Sequence, residues 1–117
     1  MSDRKIPLYL ECGYIIAMHV IGGKWKICII EALREKPLRP SLIFKEVPDA
    51  TERVLNQQLK ELLDHKIIDK KIYAEHPPRT EYFLTDLGRS VFPILDILEE
   101  WGETNRTFYE QLFNPDA

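Results

Sequence analysis

The sequence has no long hydrophobic run and few cysteines. Its longest apolar runs, residues 14–18 and 27–30, are much shorter than the ~20 residues of a membrane-spanning helix. Residues 1–7 contain no apolar segment of signal-peptide length. Cys12 and Cys28 are too few for a disulfide framework. We therefore expect a cytoplasmic protein in which both thiols are reduced.

Motifs for catalysis are also absent from the sequence. It contains no glycine-rich phosphate loop, no nucleophile elbow and no convincing constellation of serine, histidine and aspartate. The residues that can supply soft metal ligands are Cys12, Cys28, His19, His65 and His76. None of them falls in a C-x-x-C or H-x-x-x-H spacing, so metal sensing is only an alternative. We predict a protein that is not an enzyme and that binds neither a cofactor nor a metal.

The composition is that of one ordinary globular domain with an uneven distribution of charge. Of its 117 residues, 44% are hydrophobic and 30% are charged, and this length suits a single core. The formal net charge is -3. Residues 20–47 hold six cations against three anions, whereas residues 86–117 hold two cations against seven anions. The acidic total therefore hides a cationic part of the chain that suits a polyanionic partner.

Residues 51–84 are the most informative segment, because a helix with a polar face precedes two strands. Leucines recur at the spacing of one helical stripe over about residues 51–65: Leu55, Leu59, Leu62 and Leu63. Thr51 or Asp49 is expected to cap the start of this helix. The side away from the leucines carries Arg53, Gln57, Lys60 and Asp64, with Asn56 and Glu61 at its edges. Arginine suits guanine, and asparagine or glutamine suits adenine, so this face suits base reading in a major groove, although such residues are also common on solvated faces.

Two strands with a short connection are predicted after this helix. Apolar and polar residues alternate over residues 68–74 and again over residues 81–84, which is the period of two of β-strands. Pro77 and Pro78 end the pairing between them. We therefore predict a fold that is mainly α with a small β-hairpin wing (α+β), the plan of a winged helix-turn-helix.

Cations in the predicted wing are further candidates for DNA contacts. Arg79, near the exposed tip, can enter a minor groove or contact a phosphate, and Lys70 and Lys71 can contact the DNA backbone. Alternatively, Arg79 only pairs with Glu75 or Glu81 across the hairpin. The candidate DNA-binding residues are Thr51, Arg53, Asn56, Gln57, Lys60, Lys70, Lys71 and Arg79.

The rest of the chain is predicted to be helical. Upstream of the polar-faced helix, shorter helices are expected over residues 14–21, 24–34 and 41–47. The helix over residues 24–34 is nearly all apolar, so Cys28 within it is expected to be structural. Residues 12–85 then form the winged-helix core, and residues 86–113 form a C-terminal helical segment.

This C-terminal segment carries an apolar stripe that a small domain can hardly cover by itself. The members expected at a dimer interface are Ile94, Leu95, Leu98, Trp101 and Phe108; packing on their own domain is the alternative. Pro93 and Gly102 predict that the segment is kinked or split. A two-fold dimer would set two reading helices ~34 Å apart and would require a palindromic site. We therefore expect a homodimer with palindromic double-stranded DNA as its partner.

Several segments resemble a known family in their order and spacing. They are Cys12, Ile21-Gly22-Gly23-Lys24-Trp25, Leu55-Asn56-Gln57-Gln58-Leu59-Lys60-Glu61-Leu62, Pro77-Pro78-Arg79-Thr80-Glu81-Tyr82-Phe83-Leu84-Thr85-Asp86-Leu87-Gly88, and Pro93-Ile94-Leu95 with Trp101. Over about residues 10–105 the sequence resembles the HxlR-type transcriptional regulators of bacteria, which are related to the MarR class. The family usually has Asp-Gly where this sequence has His65-Lys66. The resemblance implies a homodimeric winged helix-turn-helix regulator with N- and C-terminal dimerisation helices that binds an inverted-repeat operator.

The resemblance also draws attention to Cys12. In some similar regulators the corresponding cysteine is attacked by quinones, aldehydes or oxidants. A thiol reacts in this way when it is accessible and partly thiolate, and a helix N-terminus favours the thiolate. Cys12 precedes the first predicted helix, so redox sensing is one hypothesis, and a small buried hydrophobic residue is the other. Alternatives for the whole chain are a protein-interaction module without DNA binding and a regulator that senses a small molecule or a metal.

Overall fold

The structure is a computed structural model that describes residues 12–116. The helices are α1 Gly13–Ile21, α2 Lys26–Ala32, α3 Pro40–Glu46, α4 Glu52–Asp64, α5 Asp86–Arg89, α6 Phe92–Thr104 and α7 Arg106–Phe113, and the strands are β1 Ile68–Tyr73 and β2 Arg79–Leu84. A mainly helical chain with one antiparallel hairpin confirms the predicted winged helix-turn-helix. Residues 1–7, in which no signal peptide is expected, lie outside the described residues.

No single helix within residues 12–116 has the length and apolar composition to span a membrane. Helices α1 and α2 meet both requirements only when taken as a pair, and a bend of 68° separates them.

One hydrophobic core joins the helices to the base of the hairpin. Its fully buried large side chains are Ile29, Ile30, Leu33, Ile43, Leu55, Leu59, Leu62, Ile67 and Ile68. The predicted leucine stripe of α4 is confirmed, because three of its leucines are in this set and Leu63 packs against it half-buried. Since one side of α4 is held in the core, its opposite side faces solvent in a fixed orientation.

The two ends of α4 are defined by Thr51 and Lys66. Thr51 is the N-cap rather than Asp49: the Val54 N–H donates to Thr51 Oγ1 at 3.2 Å. Lys66 has a φ of 64°, in the left-handed region that favours glycine. The chain thus turns from α4 toward β1 at a residue whose backbone conformation favours glycine.

The turn between α1 and α2 is docked on α4. Gly23 has a φ of 125°, which residues with a side chain rarely adopt. The Trp25 N–H donates to Gln58 Oε1 at 3.1 Å, and Lys26 Nζ lies 3.3 Å from Glu61 Oε1. Lys26 is 4% exposed, so this cation belongs to the packing between α2 and α4.

Helix α2 departs from the prediction at Cys28. Ile29 and Ile30 are turned into the core, whereas Cys28 is exposed. The expectation that Cys28 is a buried structural residue is therefore wrong, because the apolar run over residues 27–30 is wider than one face of a helix.

The wing contains one more pairing than the two predicted strands. β1 and β2 pair in antiparallel register as far as Tyr73 opposite Arg79. Leu38, before α3, also pairs with β2: its N–H donates to the Tyr82 carbonyl at 3.0 Å, and the Tyr82 N–H donates back at 2.8 Å. These two hydrogen bonds hold Arg39, the next residue, beside the wing.

The C-terminal segment is split, as predicted. Ser90 and Val91 separate α5 from α6, and Pro93 lies in the first turn of α6, where proline is tolerated. The second break falls at Asn105. Gly102 lies inside α6, so its assignment as a break is wrong; a glycine weakens a helix by about 1 kcal/mol without having to end it.

Aromatic contacts and an ion pair hold α6 and α7 together. The ring centroid of Tyr109, in α7, lies 5.8 Å from that of Trp101, in α6. At the corner, Arg106 Nε donates to Glu103 Oε2 at 2.8 Å, and this hydrogen bond lowers the pKa of the Glu103 carboxyl. The relative orientation of the two helices is thereby fixed.

Leu95 differs from the other residues expected at a dimer interface. It is 3% exposed and packs in the hydrophobic core of the chain, so its assignment to the interface is corrected. The reason is angular, since consecutive helical residues such as Ile94 and Leu95 are about 100° apart around the axis. Ile94, Leu98, Trp101 and Phe108 are exposed.

Candidate nucleic-acid interface

The solvent side of α4 presents the polar residues that the sequence predicts there. Arg53, Asn56, Gln57 and Lys60 are all exposed. Among the residues that the structure describes, Arg53 and Lys60 form no ion pair, and none of the four side chains forms a hydrogen bond. Their donors and acceptors are therefore available to a partner, and their side-chain types suit base edges and phosphates.

Thr51 and Glu61 border this polar face. Together with Arg53, Val54, Gln57 and Gln58 they line an open depression along α4. Thr51 Oγ1 already accepts the capping hydrogen bond, and its hydroxyl hydrogen can donate to a phosphate. Glu61 is the one carboxylate of the depression, and its pairing with Lys26 offsets the repulsion that it would exert on a polyanion.

The two lysines of the wing do not share one face of it. Lys70 and Lys71 are both exposed on β1. Adjacent residues of a strand point to opposite sides of the sheet, so a DNA molecule on one side meets only one of them directly. Lys71 Nζ lies 4.9 Å from the centroid of the Tyr73 ring.

Arg79 is engaged within the hairpin. Its guanidinium lies 4.1 Å from the Tyr73 ring centroid, and its Nη2 lies 3.4 Å from Glu75 Oε1. The Tyr73 hydroxyl donates to Glu81 Oε1 at 3.0 Å, and this hydrogen bond, with desolvation, raises the pKa of the Tyr73 phenol. Of the two partners considered for Arg79, Glu75 is the one that pairs with it.

The cations of residues 20–47 are only partly available at the surface. Arg34 donates two hydrogen bonds to Asp96, at 2.7 and 3.0 Å, and its guanidinium lies 4.2 Å from the Phe92 ring centroid. This pairing lowers the pKa of the Asp96 carboxyl. Lys26 is buried. The cations of this segment that are exposed are Lys24, Lys36, Arg39 and Lys45.

Arg39 is a candidate DNA contact that was not predicted from the sequence. It stands beside the wing because Leu38 pairs with Tyr82, which is 44 positions further along the chain. A single residue that joins an edge strand leaves no periodic pattern, so no local signal marked it.

Cys12 lies directly before the first helix, as predicted. It is the N-cap of α1, it makes no side-chain capping hydrogen bond, and it is partly buried. Within residues 12–116, no group of three or more histidine, cysteine, aspartate and glutamate side chains is arranged to hold a metal ion.

The fold and the polar face of α4 define the class of helix-turn-helix transcriptional regulators. Residues 20–109 match the family described as HxlR-like helix-turn-helix. The chain belongs to this family, and it is a transcriptional regulator of the helix-turn-helix type.

Relatives and solved structures agree with this assignment. An uncharacterized HTH-type transcriptional regulator of Methanothermobacter thermautotrophicus is 45% identical over 92 residues, which cover 79% of this chain and 70% of that protein. The uncharacterized HTH-type transcriptional regulator YybR of Bacillus subtilis is 36% identical over 112 residues, 94% of this chain and 90% of that protein. The redox regulator HypR in its reduced form has a TM-score of 0.80 at 35% identity, covering 85% of this chain and 98% of its own.

Proposed function

We propose that this regulator is a homodimer that binds an inverted-repeat operator through α4 and the wing. The observation that carries the proposal is the exposed polar face of a helix whose other side is anchored in the core. Arg53 and Gln57 lie one turn apart on that face and suit guanine and adenine, respectively. Asn56 and Lys60 flank them and can supply a further base contact and a phosphate contact. We also propose that the protein acts in the cytoplasm, as expected for a regulator that has to reach DNA.

The apolar surface of α6 and α7 supports the homodimer. Ile97 is 67% exposed, and Trp101 and Phe108 are 59% and 62% exposed. Ile94 and Leu98 lie on the same side of α6. Burial of this face against a second copy removes it from water, and the resulting two-fold axis suits two half-sites ~34 Å apart on DNA.

A gel shift with the promoter region beside the protein's own coding sequence tests DNA binding. Arg53→Ala and Gln57→Ala are each expected to weaken binding about 10- to 100-fold, because a bidentate base contact contributes ~1–3 kcal/mol. Glu99→Ala, on the exposed part of α6, is the control and is expected to bind like the wild type. A wild-type protein that prefers the promoter no more than a scrambled duplex would instead favour an interaction module without sequence-specific DNA binding.

We propose further that Cys12 makes operator binding sensitive to oxidants. Cys12 lies at the N-terminus of α1 and is only partly buried, so its sulfur can be reached by an oxidant. The similarity to HypR, a redox regulator whose oxidized form also matches with a TM-score of 0.76, supports the same role. In the proposed step the Cys12 thiols of the two copies in the homodimer lose two protons and two electrons to an oxidant such as diamide and form one disulfide, while diamide gains two hydrogens.

The same gel shift with diamide, followed by a reductant, tests this role. Binding by the wild type is expected to change on oxidation and to recover on reduction, whereas binding by Cys12→Ser stays constant. Cys28→Ser is the matched control, because it removes the other, more exposed thiol and is expected to respond like the wild type. Equal responses of the wild type and Cys12→Ser would contradict the proposal.

A further inference from the structure

A groove lies between the start of α3 and the tip of the wing. Apart from three prolines, its lining residues are Arg39, Ser41, Glu75, His76, Arg79 and Thr80. The hydrogen bonds between Leu38 and Tyr82 join the two walls, since each of these residues is close in sequence to one wall. The groove is therefore held together by the fold, and it carries two arginines within one concave surface.

The two arginines of the groove have unused capacity to bind an anion. A guanidinium has five N–H donors. The ion pair of Arg79 with Glu75 is long, at 3.4 Å, and Arg79 Nε is buried without a hydrogen-bond partner among the described residues. Arg39 is exposed and forms no ion pair within residues 12–116.

We propose that this groove holds a backbone phosphate of duplex DNA, which replaces Glu75 as the partner of Arg79. The inference rests on the proposed DNA binding and adds two roles to it: Arg39 is a second cation for the phosphate, and Glu75 is a competitor that limits affinity. A phosphate presents several acceptor oxygens to the fork of a guanidinium. The ion pair that it displaces is solvent-exposed and weak. Arg79 is thus stored within the wing when the protein is free and turns to DNA when it is bound.

Fluorescence anisotropy with the promoter duplex and a scrambled duplex of equal length, over a series of NaCl concentrations, tests this assignment. Glu75→Gln is expected to tighten binding about 3- to 10-fold on both duplexes, because phosphate contacts carry no base sequence. Glu99→Gln makes the same change of charge outside the groove and is expected to have no effect. A gain for Glu75→Gln that is no larger than for Glu99→Gln would overturn the proposal.

The contribution of Arg39 is measured by the salt dependence. Each phosphate neutralised adds about 0.9 to the slope of log affinity against log salt concentration, so Arg39→Gln is expected to reduce the slope by about that amount. Arg89→Gln, on the exposed part of α5, is the matched loss of one cation and is expected to keep the wild-type slope. Equal slopes for the two variants would overturn the role of Arg39.

A double-mutant cycle separates the proposed exchange from a general effect of charge. If Glu75 acts by holding Arg79, the gain from Glu75→Gln disappears when Arg79→Gln is also present. A gain that persists in that background would overturn the exchange. Failure of DNA binding as such is distinguishable, because it would appear as a wild-type protein without affinity for either duplex.

Discussion

Helices α4 and α6 have 13 residues each, but they divide their apolar and polar surface in opposite ways. On α4 the leucine stripe is buried, with Leu62 0% exposed, and polar side chains face solvent. On α6 the residue in the core is Leu95, whereas Ile97 and Trp101 are 67% and 59% exposed. A helix that buries its apolar side offers hydrogen-bonding groups to a polar partner, and one that exposes it requires an apolar partner.

The two helices are also fastened to the body of the protein differently. Helix α4 is tied to the α1–α2 turn by the hydrogen bond from Trp25 to Gln58, and to α2 by the buried Lys26. Helix α6 is tied to the end of α2 by the exposed pair of Arg34 and Asp96. Helix α4 is thus part of the core, whereas α6 is orientated by its first turns and leaves the rest of its length exposed.

The largest effect is expected from Leu62→Ala on α4. Loss of this fully buried side chain leaves a cavity and is expected to lower the free energy of unfolding by about 2–5 kcal/mol, measured by urea denaturation. Val54→Ala, on the same helix at 38% exposure, is the control, with an expected change below about 0.5 kcal/mol. An equally small effect of Leu62→Ala would contradict the claim that the leucine side of α4 is packed in the core while its other side faces solvent.

Ile97→Gln on α6 is expected to act on assembly rather than on the fold. Two copies of Ile97 are lost per dimer, each worth at least about 1.5 kcal/mol when buried, so the dimer dissociation constant is expected to rise on the order of 100-fold. Light scattering over a range of concentrations measures this change. Glu99→Gln introduces the same residue on another side of α6 and is expected to leave the dimer intact. A monomeric wild type would refute the role given to this face.

The sequence predicted α4 and the wing well because one residue pattern accounts for each. The leucines of α4 repeat at the helical period, and its polar face followed directly from them, with Arg53 and Gln57 exposed as expected. Cys28 and Leu95 were assigned to the wrong environment, because α2 and α6 have more apolar residues than one face can hold. In such a helix only tertiary contacts decide which apolar residue is buried.

The site beside the wing was not predictable for a different reason. Arg39 reaches it through a single pair of hydrogen bonds between Leu38 and β2, which no local pattern encodes. Arg79 was singled out, but its choice of Glu75 over Glu81 depends on the geometry of the hairpin, where Glu81 accepts instead from the Tyr73 hydroxyl. Non-local pairing and competition among neighbouring charges are therefore the parts of this interface that require a structure.

Thr51→Ala is expected to have an intermediate effect, confined to α4. It removes the side chain that caps α4 and is expected to lower the free energy of unfolding by ~1 kcal/mol, measured by urea denaturation. Helix α6 has no side-chain cap at Val91, so its start offers no equivalent position. Thr51→Ser keeps an acceptor oxygen and is expected to restore most of the loss. A Thr51→Ser protein as unstable as Thr51→Ala would show that packing, and not capping, is responsible.

The smallest effect on stability is expected from the ion pair of Arg34 with Asp96, which attaches α6, and this effect depends on pH. Because Arg34 lowers the pKa of Asp96 below its ordinary value of about 4, the unfolded chain takes up a proton there first as the pH falls. The stabilisation by this pair is therefore complete at neutral pH and declines below about pH 4. Asp96→Asn removes it, so the difference in urea midpoint between wild type and variant is expected to be small at pH 7 and smaller at pH 3. Added salt should also shrink it, since both side chains are exposed to solvent screening. Glu100→Gln removes a carboxylate from the same helix that does not pair with Arg34, and it is the control. A difference for Asp96→Asn that grew at low pH would mean that Arg34 does not hold α6 through this carboxylate.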